Sequence, residues 1–151
     1  MRTKPILSAK QLTPLIEIIL AMVFFSVAST VLVQVFAKAH NDSRFAHDIN
    51  NATLFVGECA ENIHISDDYG AVLDALYSSG FEMVERNHLF HAYFDTDFSP
   101  APRDTAYSTV TFELSAKDTE AGQLLTGQFI CARKDGKELV NMETAVFLPD
   151  S

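Results

Sequence analysis

The longest apolar stretch of the chain lies near its N-terminus. Residues 18–37 are twenty consecutive positions without a charged side chain, and Glu17 stands directly before them. At about 1.5 Å per residue, a helix of this length spans roughly 30 Å, the thickness of the hydrocarbon core of a bilayer. The pattern therefore predicts one transmembrane helix over residues 15–38, preceded by a tail of residues 1–14.

Beyond this stretch the hydrophobic pattern becomes one-sided. Apolar positions recur at alternating spacings of four and three residues, the period of one face of an α-helix. The helix is therefore expected to continue out of the lipid as an amphipathic helix. The apolar positions are Phe45, Ile49, Ala52, Val56, Cys59 and Ile63, and the polar ones are Arg44, Asp48, Asn51, Glu58, Glu61 and Asn62.

The rest of the chain predicts one short helix and then strands. Ser66 is expected to cap the short helix, which ends at Gly80. Period-two alternation follows, and the clearest pair of strands is joined by the turn-forming dipeptide at residues 135–136, Asp-Gly. The expected strands are residues 81–86, 89–95, 109–114, 124–134 and 137–148. The fold class is therefore α+β, a long N-terminal helix packed on an antiparallel sheet of four or five strands.

Charge predicts the orientation in the membrane. The ionisable side chains before Glu17 are all basic, whereas residues 39–151 carry seven Lys and Arg against nineteen Asp and Glu. Because basic residues stay on the cytoplasmic side, residues 39–151 are expected to form one extracytoplasmic domain of a single-pass protein of the cell membrane. An acidic domain repels phosphate, so direct binding of nucleic acid is not expected.

The start of the apolar stretch resembles a known family. Residues 15–17, Leu-Ile-Glu, open a hydrophobic helix as they do in type IV pilins, and especially in minor pseudopilins. The resemblance implies a structural subunit of a pilus-like or pseudopilus-like filament, which assembles with other pilin-like subunits through this helix. It also implies that Glu17 meets the N-terminal amine of a neighbouring subunit and sets the stagger between subunits.

Glu17 has a second interpretation. A carboxylate at the edge of hydrocarbon costs about 2.5 to 3.5 kcal/mol on insertion scales, so it needs a compensating charge or a polar location. In the alternative to assembly, Glu17 lies in the headgroup region near Lys10, at a helix N-terminus that favours negative charge. The outer domain would then be a membrane-anchored module that binds a ligand or partner, and the span would be a tether.

The N-terminus of the mature chain has three alternatives. Pilin precursors are cleaved after a glycine, and with Glu17 as the fifth mature residue the chain would begin at Thr13, where Leu12 replaces that glycine. Residues 37–39, Ala-Lys-Ala, have the small-x-small form of a signal-peptidase site and would release a domain beginning at His40. The uncleaved chain would be a pilin-like membrane subunit.

The sequence contains no recognisable catalytic motif, and an enzyme is not expected. His88 and His91, and likewise His40 and His47, are interpreted as surface residues and not as metal ligands, and no cofactor is expected. The segment that begins at Asp95 lacks the glycine and the final acid of a calcium loop.

The two cysteines suggest a possible disulfide. Cys59 lies on the apolar face of the long helix, and Cys131 lies in a strand that should cover this face. If both side chains point into the same interface, a disulfide would tie helix to sheet and stabilise the fold by about 4 kcal/mol. The alternative is a pair of buried thiols that act as small apolar side chains, since the alternation around Cys131 does not define which way it faces.

Overall fold

The computed structural model describes residues 9–85 and 88–149. Within these residues two α-helices precede five strands, with one short 3₁₀ helix, Arg103–Thr105, between the second and third strands. The α+β fold class predicted from the sequence is confirmed. The helices are α1 (Ala9–His64) and α2 (Tyr69–Ser78), and the strands are β1 (Glu82–Glu85), β2 (Leu89–Phe94), β3 (Ser108–Thr119), β4 (Gly122–Arg133) and β5 (Glu138–Pro149).

The chain divides into two compact units, Met1–Arg44 and Phe45–Ser151, and α1 contributes residues to both. In the first unit α1 begins at Ala9, six residues earlier than the predicted span, so Pro14 lies inside the helix. Proline has no N–H to donate to the carbonyl four residues earlier, so α1 lacks one hydrogen bond at this point. Residues 1–8 of the expected tail lie outside the described residues.

In the second unit the strands form one antiparallel sheet in the order β1-β2-β3-β4-β5. Each strand thus pairs with its neighbours in sequence, and β3 and β4 pair along their full length. The hairpin predicted between β4 and β5 is confirmed, and Gly136 in its turn has the positive φ of 82° that favours glycine. The strands predicted at residues 81–86 and 89–95 correspond to β1 and β2, which pair antiparallel, and residues 86–87 between them lie outside the described residues.

The core of the second unit lies between one face of this sheet and the part of α1 that begins at Phe45. The predicted helix face is confirmed: its last four positions are buried, and Phe45 and Ile49 pack against them partly exposed. Stacked phenylalanines fill the sheet side, with the rings of Phe112 and Phe129 only 4.2 Å apart between centroids. The fully buried large side chains are Phe81, Phe90, Phe112, Phe129, Ile63, Leu76, Leu125, Val56, Val72, Val110 and Cys131.

A glycine makes room for this stack. Gly127 lies on the inner face of β4, and a Cβ atom built on it would collide with the ring of Phe112 and come within 3.3 Å of the Thr144 side chain. A larger residue at this position would have to displace one of the most buried rings of the core.

The start of α2 differs from the prediction. Its N-cap is Asp68 and not Ser66, because the Asp68 carboxylate accepts a hydrogen bond of 2.8 Å from the N–H of Ala71. The Ser66 hydroxyl instead donates to the carbonyl of Asn62, in the last turns of α1. Aspartate and serine are equally good N-caps, so propensity does not separate the two positions. The predicted end of the helix is confirmed, since Gly80 follows it with a φ of 88°.

Candidate assembly helix

The part of α1 in the first unit presents an apolar surface on all sides. Every large apolar side chain from Leu12 to Phe36 is between 42% and 75% exposed. Exposed apolar surface of this extent is unfavourable in water and is typical of a segment that meets lipid or a partner. Within the described residues, α1 is the one helix long and apolar enough to cross a membrane.

Glu17 is exposed on this part of α1. It is the single charged side chain between Gln11 and Ala37, and the flanking Ile16 and Ile18 are each 56% exposed. A helical residue reaches side chains three and four positions away, and none of these positions around Glu17 is basic. They are Thr13, Pro14, Leu20 and Ala21. A positive charge that compensates Glu17 must therefore come from beyond its own helical neighbours.

Two hydroxyl groups in the same segment are bonded within the helix. Ser26 donates to the carbonyl of Met22 at 2.8 Å, and Thr30 donates to the carbonyl of Ser26 at 2.9 Å. Such bonds to the preceding helical turn remove the need for a polar partner outside the helix. The surface of this segment is therefore mainly apolar, with Ser29 and Gln34 as neutral polar positions and the carboxylate of Glu17 as the charged exception.

The structure places both cysteines in the hydrophobic core of the second unit, where they are free thiols. Cys131 shares the inner face of β4 with Phe129, which defines the facing that the sequence left ambiguous. Burial raises the pKa of Cys59 to about 11, slightly offset by a hydrogen bond with Ser79. Burial, with a smaller effect of the Asp48 charge, raises the pKa of Cys131 to about 12. Neutral, buried thiols of this kind are poor nucleophiles.

A polar cluster that the sequence pattern did not predict ties α1 to the sheet. Asp48, assigned to the solvent side of the helix by its charge, is only 9% exposed. Its carboxylate lies 3.6 Å from the Arg133 guanidinium and accepts a hydrogen bond of 3.4 Å from the Tyr107 hydroxyl. The Arg133 guanidinium also covers the Tyr107 ring at 4.9 Å. The burial prediction for Asp48 was wrong because periodicity alone does not reveal a cation contributed by a distant strand.

Two of the histidines considered as metal ligands bond to nearby polar side chains. The ring of His88 lies 2.9 Å from the Tyr69 hydroxyl, and the ring of His47 lies 3.1 Å from the Asn51 amide. Among residues 9–85 and 88–149, no group of three or more His, Cys, Asp or Glu side chains could hold a metal ion. The Asp95 carboxylate instead accepts two hydrogen bonds of 2.9 Å from backbone N–H groups of its own loop.

In the described part of the chain, the outer face of the sheet carries a polar depression of about 450 Å³. Glu113, Gln128 and Glu143 lie side by side across β3, β4 and β5 and line it together with small hydroxyl residues. The Gln128 amide is already bonded to Asn141 at 3.0 Å. The two carboxylates make the depression unsuitable for an anionic ligand.

Comparison of the chain with models of known protein families, with curated proteins and with solved structures finds no match. The proposed function therefore rests on the exposed apolar surface of α1, on Glu17 and on the polar groups of the second unit.

Proposed function

We propose that the chain is a membrane-anchored structural subunit of a pilus-like or pseudopilus-like filament, and that it assembles with similar subunits through the apolar part of α1. The observation that carries this proposal is a helix surface that is apolar and exposed on all sides and bears one acid, Glu17, at its start. The tail lies in the cytoplasm and residues 39–151 lie outside the cell membrane, as the charge distribution favours.

The need to compensate Glu17 supports assembly. Its helical neighbours carry no positive charge, and a carboxylate at the edge of hydrocarbon costs about 2.5 to 3.5 kcal/mol when it stays uncompensated. A cationic group of an adjacent subunit, such as the N-terminal amine implied by the resemblance to pilins, would remove this cost. Because one charge pair can form only at one axial offset between two helices, the pair would also fix how far each subunit is shifted along its neighbour.

The alternative function is a tethered binding module, and it makes a different use of the same helix. A tether needs only apolar length, so the charge of Glu17 would be dispensable and the second unit would act alone. Replacement of Glu17 by an uncharged residue therefore separates the two functions.

The decisive experiment is Glu17→Gln in the cells that produce the protein, with two measurements on the same culture. The first is the fraction of the chain in the membrane, and the second is the fraction in filaments sheared from the cells and collected by sedimentation. We expect the membrane fraction to stay unchanged and the filament fraction to fall about tenfold, which corresponds to a loss of about 1.4 kcal/mol of subunit interaction.

Glu61→Gln is the matched control, because Glu61 is an exposed acid of α1 that lies in the second unit, away from the apolar segment. It should change neither fraction. If Glu17→Gln entered filaments as well as the wild type, the assembly proposal would be rejected and the tether would be favoured.

A further inference from the structure

The sheet of the second unit has two edges of very different length. At one edge lies β1, which has four residues and a register shift between Met83 and Glu85. At the other edge lies β5, whose twelve residues pair with β4 on one side. In the described part of the chain, no residue of β5 forms a backbone hydrogen bond on its other side. An open edge of this length is a template on which another extended chain can pair.

The register of the sheet shows which backbone groups of β5 point to this free edge. The two-residue turn between β3 and β4 is closed by Thr119 and Gly122, and such a closing pair exchanges hydrogen bonds. Bonded pairs then recur at every second position, so even-numbered residues of β4 bond to β3 and odd-numbered ones bond to β5. The register with β5 is uninterrupted from Cys131 opposite Val140 to Gly122 opposite Pro149. Within it, the N–H and C=O groups at the free edge are those of Asn141, Glu143, Ala145 and Phe147.

A groove on the outer face of the sheet opens at the same edge. It is the polar depression of about 450 Å³, and its floor is a row of small side chains, Ser115, Thr126 and Ala145, that crosses three strands. The neighbouring row carries Glu113 and Glu143, with a glutamine between them. Because Ala145 and Glu143 belong to β5, both the floor and the acidic side of the groove reach the free edge.

The charge around the free edge favours a basic occupant. β5 contains two glutamates and no basic residue, and residues 45–151 carry six Lys and Arg against eighteen Asp and Glu. Lys117, in the row on the other side of the groove, lies in β3, two strands away from the free edge. A second copy of the chain would bring a like-charged strand to β5. A cationic strand would instead gain a favourable pair with Glu143.

The core side of β5 favours an apolar neighbour. Val146 and Leu148 belong to the hydrophobic core, and they remain 9% and 7% exposed. Side chains of an added strand alternate between the two faces of the sheet. A strand with apolar residues on the core side and basic residues on the outer side would therefore suit both faces of β5.

We propose that the free edge of β5 binds an extended segment of a partner protein as a sixth strand, and that this segment alternates apolar and basic residues. Its backbone bonds to the free N–H and C=O groups of β5, and its Lys or Arg side chains lie over the groove beside Glu143. The backbone bonds supply affinity, and Glu143 supplies selectivity for a cation. This inference goes beyond the proposed function and depends on the second unit alone.

The test uses the full chain in a mild detergent and a labelled peptide of four Lys-Val repeats with blocked ends. Fluorescence anisotropy measures its dissociation constant, and hydrogen exchange followed by NMR reports on each amide of β5. We expect binding, with exchange slowed about tenfold at Glu143, Ala145 and Phe147. A peptide of four Glu-Val repeats should bind at least about tenfold more weakly, because its charge is repelled.

A methylated peptide separates strand pairing from general attraction to an acidic protein. The Lys-Val peptide with every backbone nitrogen methylated keeps its charge but has no backbone N–H to donate. It should bind at least about tenfold more weakly than the unmethylated peptide. This comparison leaves the chain unchanged, so it does not depend on the folding of any variant.

Two pairs of substitutions locate the site. Ala145→Pro removes an N–H from the free edge and none from the ladder with β4, and it should weaken binding about tenfold. Its control is Ala116→Pro, since Ala116 is an exposed residue of β3 whose N–H also points away from β4, beyond the part that pairs with β2. Glu143→Gln should weaken binding about threefold, whereas Glu120→Gln in the β3–β4 turn should leave it unchanged.

The contrary outcomes are distinct from one another. Equal binding of the methylated and unmethylated peptides would overturn strand addition, and equal effects of Glu143→Gln and Glu120→Gln would overturn the role of Glu143. If sedimentation showed a dimer that Ala145→Pro abolished, the occupant would be a second copy and the basic partner would be rejected. None of these measurements uses filaments, so a failure here leaves the assembly proposal for Glu17 unaffected.

Discussion

The two parts of α1 are equally helical but use their apolar side chains in opposite ways. Before Arg44 these side chains surround the helix and are exposed, whereas from Phe45 onward most of them form one face that is buried under the sheet. Both parts are rich in apolar residues, so hydrophobicity alone does not decide whether a helix joins a protein core. The distribution around the helix decides it, because one apolar face can be covered by one sheet and a full apolar surface cannot.

This comparison also explains where charge is tolerated. In the second part, Asp48 enters a buried environment because Arg133 and Tyr107 are folded against it. In the first part, Glu17 has no basic helical neighbour, so its compensation is left to the surroundings of the chain. A buried charge thus reports a partner inside the fold. For Glu17, the proposed assembly would supply the partner that its helical neighbours lack.

The largest expected contrast comes from one phenylalanine in each of the two units, Phe129 in β4 and Phe25 in α1. Phe129→Ala removes a fully buried ring that stacks on Phe112, and it should lower the free energy of unfolding of the second unit by about 3 to 5 kcal/mol. Phe25→Ala removes a ring that is 75% exposed and should leave this free energy unchanged. Denaturant titration of the full chain in a mild detergent measures both. An equal loss in Phe25→Ala would mean that the apolar segment belongs to the folded core.

Substitution of two glycines should give the next largest changes in the stability of the second unit, and these changes have opposite signs. Gly127→Ala places a methyl group against the Phe112 ring and should destabilise the second unit by about 1 to 3 kcal/mol. Gly57→Ala adds a methyl group in open space within a helix and should stabilise it by up to about 1 kcal/mol. The same titration compares the two variants. Stabilisation by both substitutions would show that Phe112 does not lie over β4 in solution.

The smallest effect concerns the thiols, which change the stability only at alkaline pH. Because burial raises the pKa of Cys59 to about 11 and of Cys131 to about 12, the folded state holds the neutral thiols more tightly than the unfolded chain does. This contribution to stability is complete below pH 9 and declines as the pH rises toward 11 and 12. At pH 8, alkylation of the folded protein should be slower than in denaturant by about a hundredfold at Cys59 and about a thousandfold at Cys131.

Two comparisons sharpen the thiol prediction. Leu54→Cys, at a position of α1 that is 65% exposed, should be alkylated rapidly in the folded state. Intact mass of the denatured, alkylated wild type should show two modified thiols without reductant, as expected for the free cysteines of the structure. Modification of no thiol without reductant and of two with it would instead support the disulfide between Cys59 and Cys131.

Much of the fold could be predicted from local patterns. The long helix follows from the spacing of apolar residues, β3 from the alternation of Val110, Phe112 and Leu114, and the β4–β5 turn from its Asp-Gly dipeptide. These features depend on neighbours in sequence, so the sequence displays them directly. Of the candidate site, Glu17 was recognisable because an acid directly before a long apolar run is unusual.

The remaining features depend on contacts between distant residues. Asp48 is buried by Arg133, a residue of β4, and no helical periodicity contains that information. Phe55 lies outside the predicted apolar face, yet its ring packs edge-on to Phe94 at 4.7 Å and against Phe98. Phe98 reaches this position from a left-handed backbone conformation with a φ of 59°, which a phenylalanine rarely adopts. Such contacts emerge only when the chain is folded.

The strand order of the sheet has a consequence for how the second unit is made. Since every strand pairs with the strand immediately before it, each hairpin can close as soon as its second half has been synthesised, without waiting for a distant segment. Connections of this local kind favour rapid folding and keep unpaired strands short-lived. The last strand, β5, completes the sheet and carries Thr144, which bonds the ring of His64 at 3.2 Å. Pairing of β5 thus also fixes the end of the long helix against the sheet.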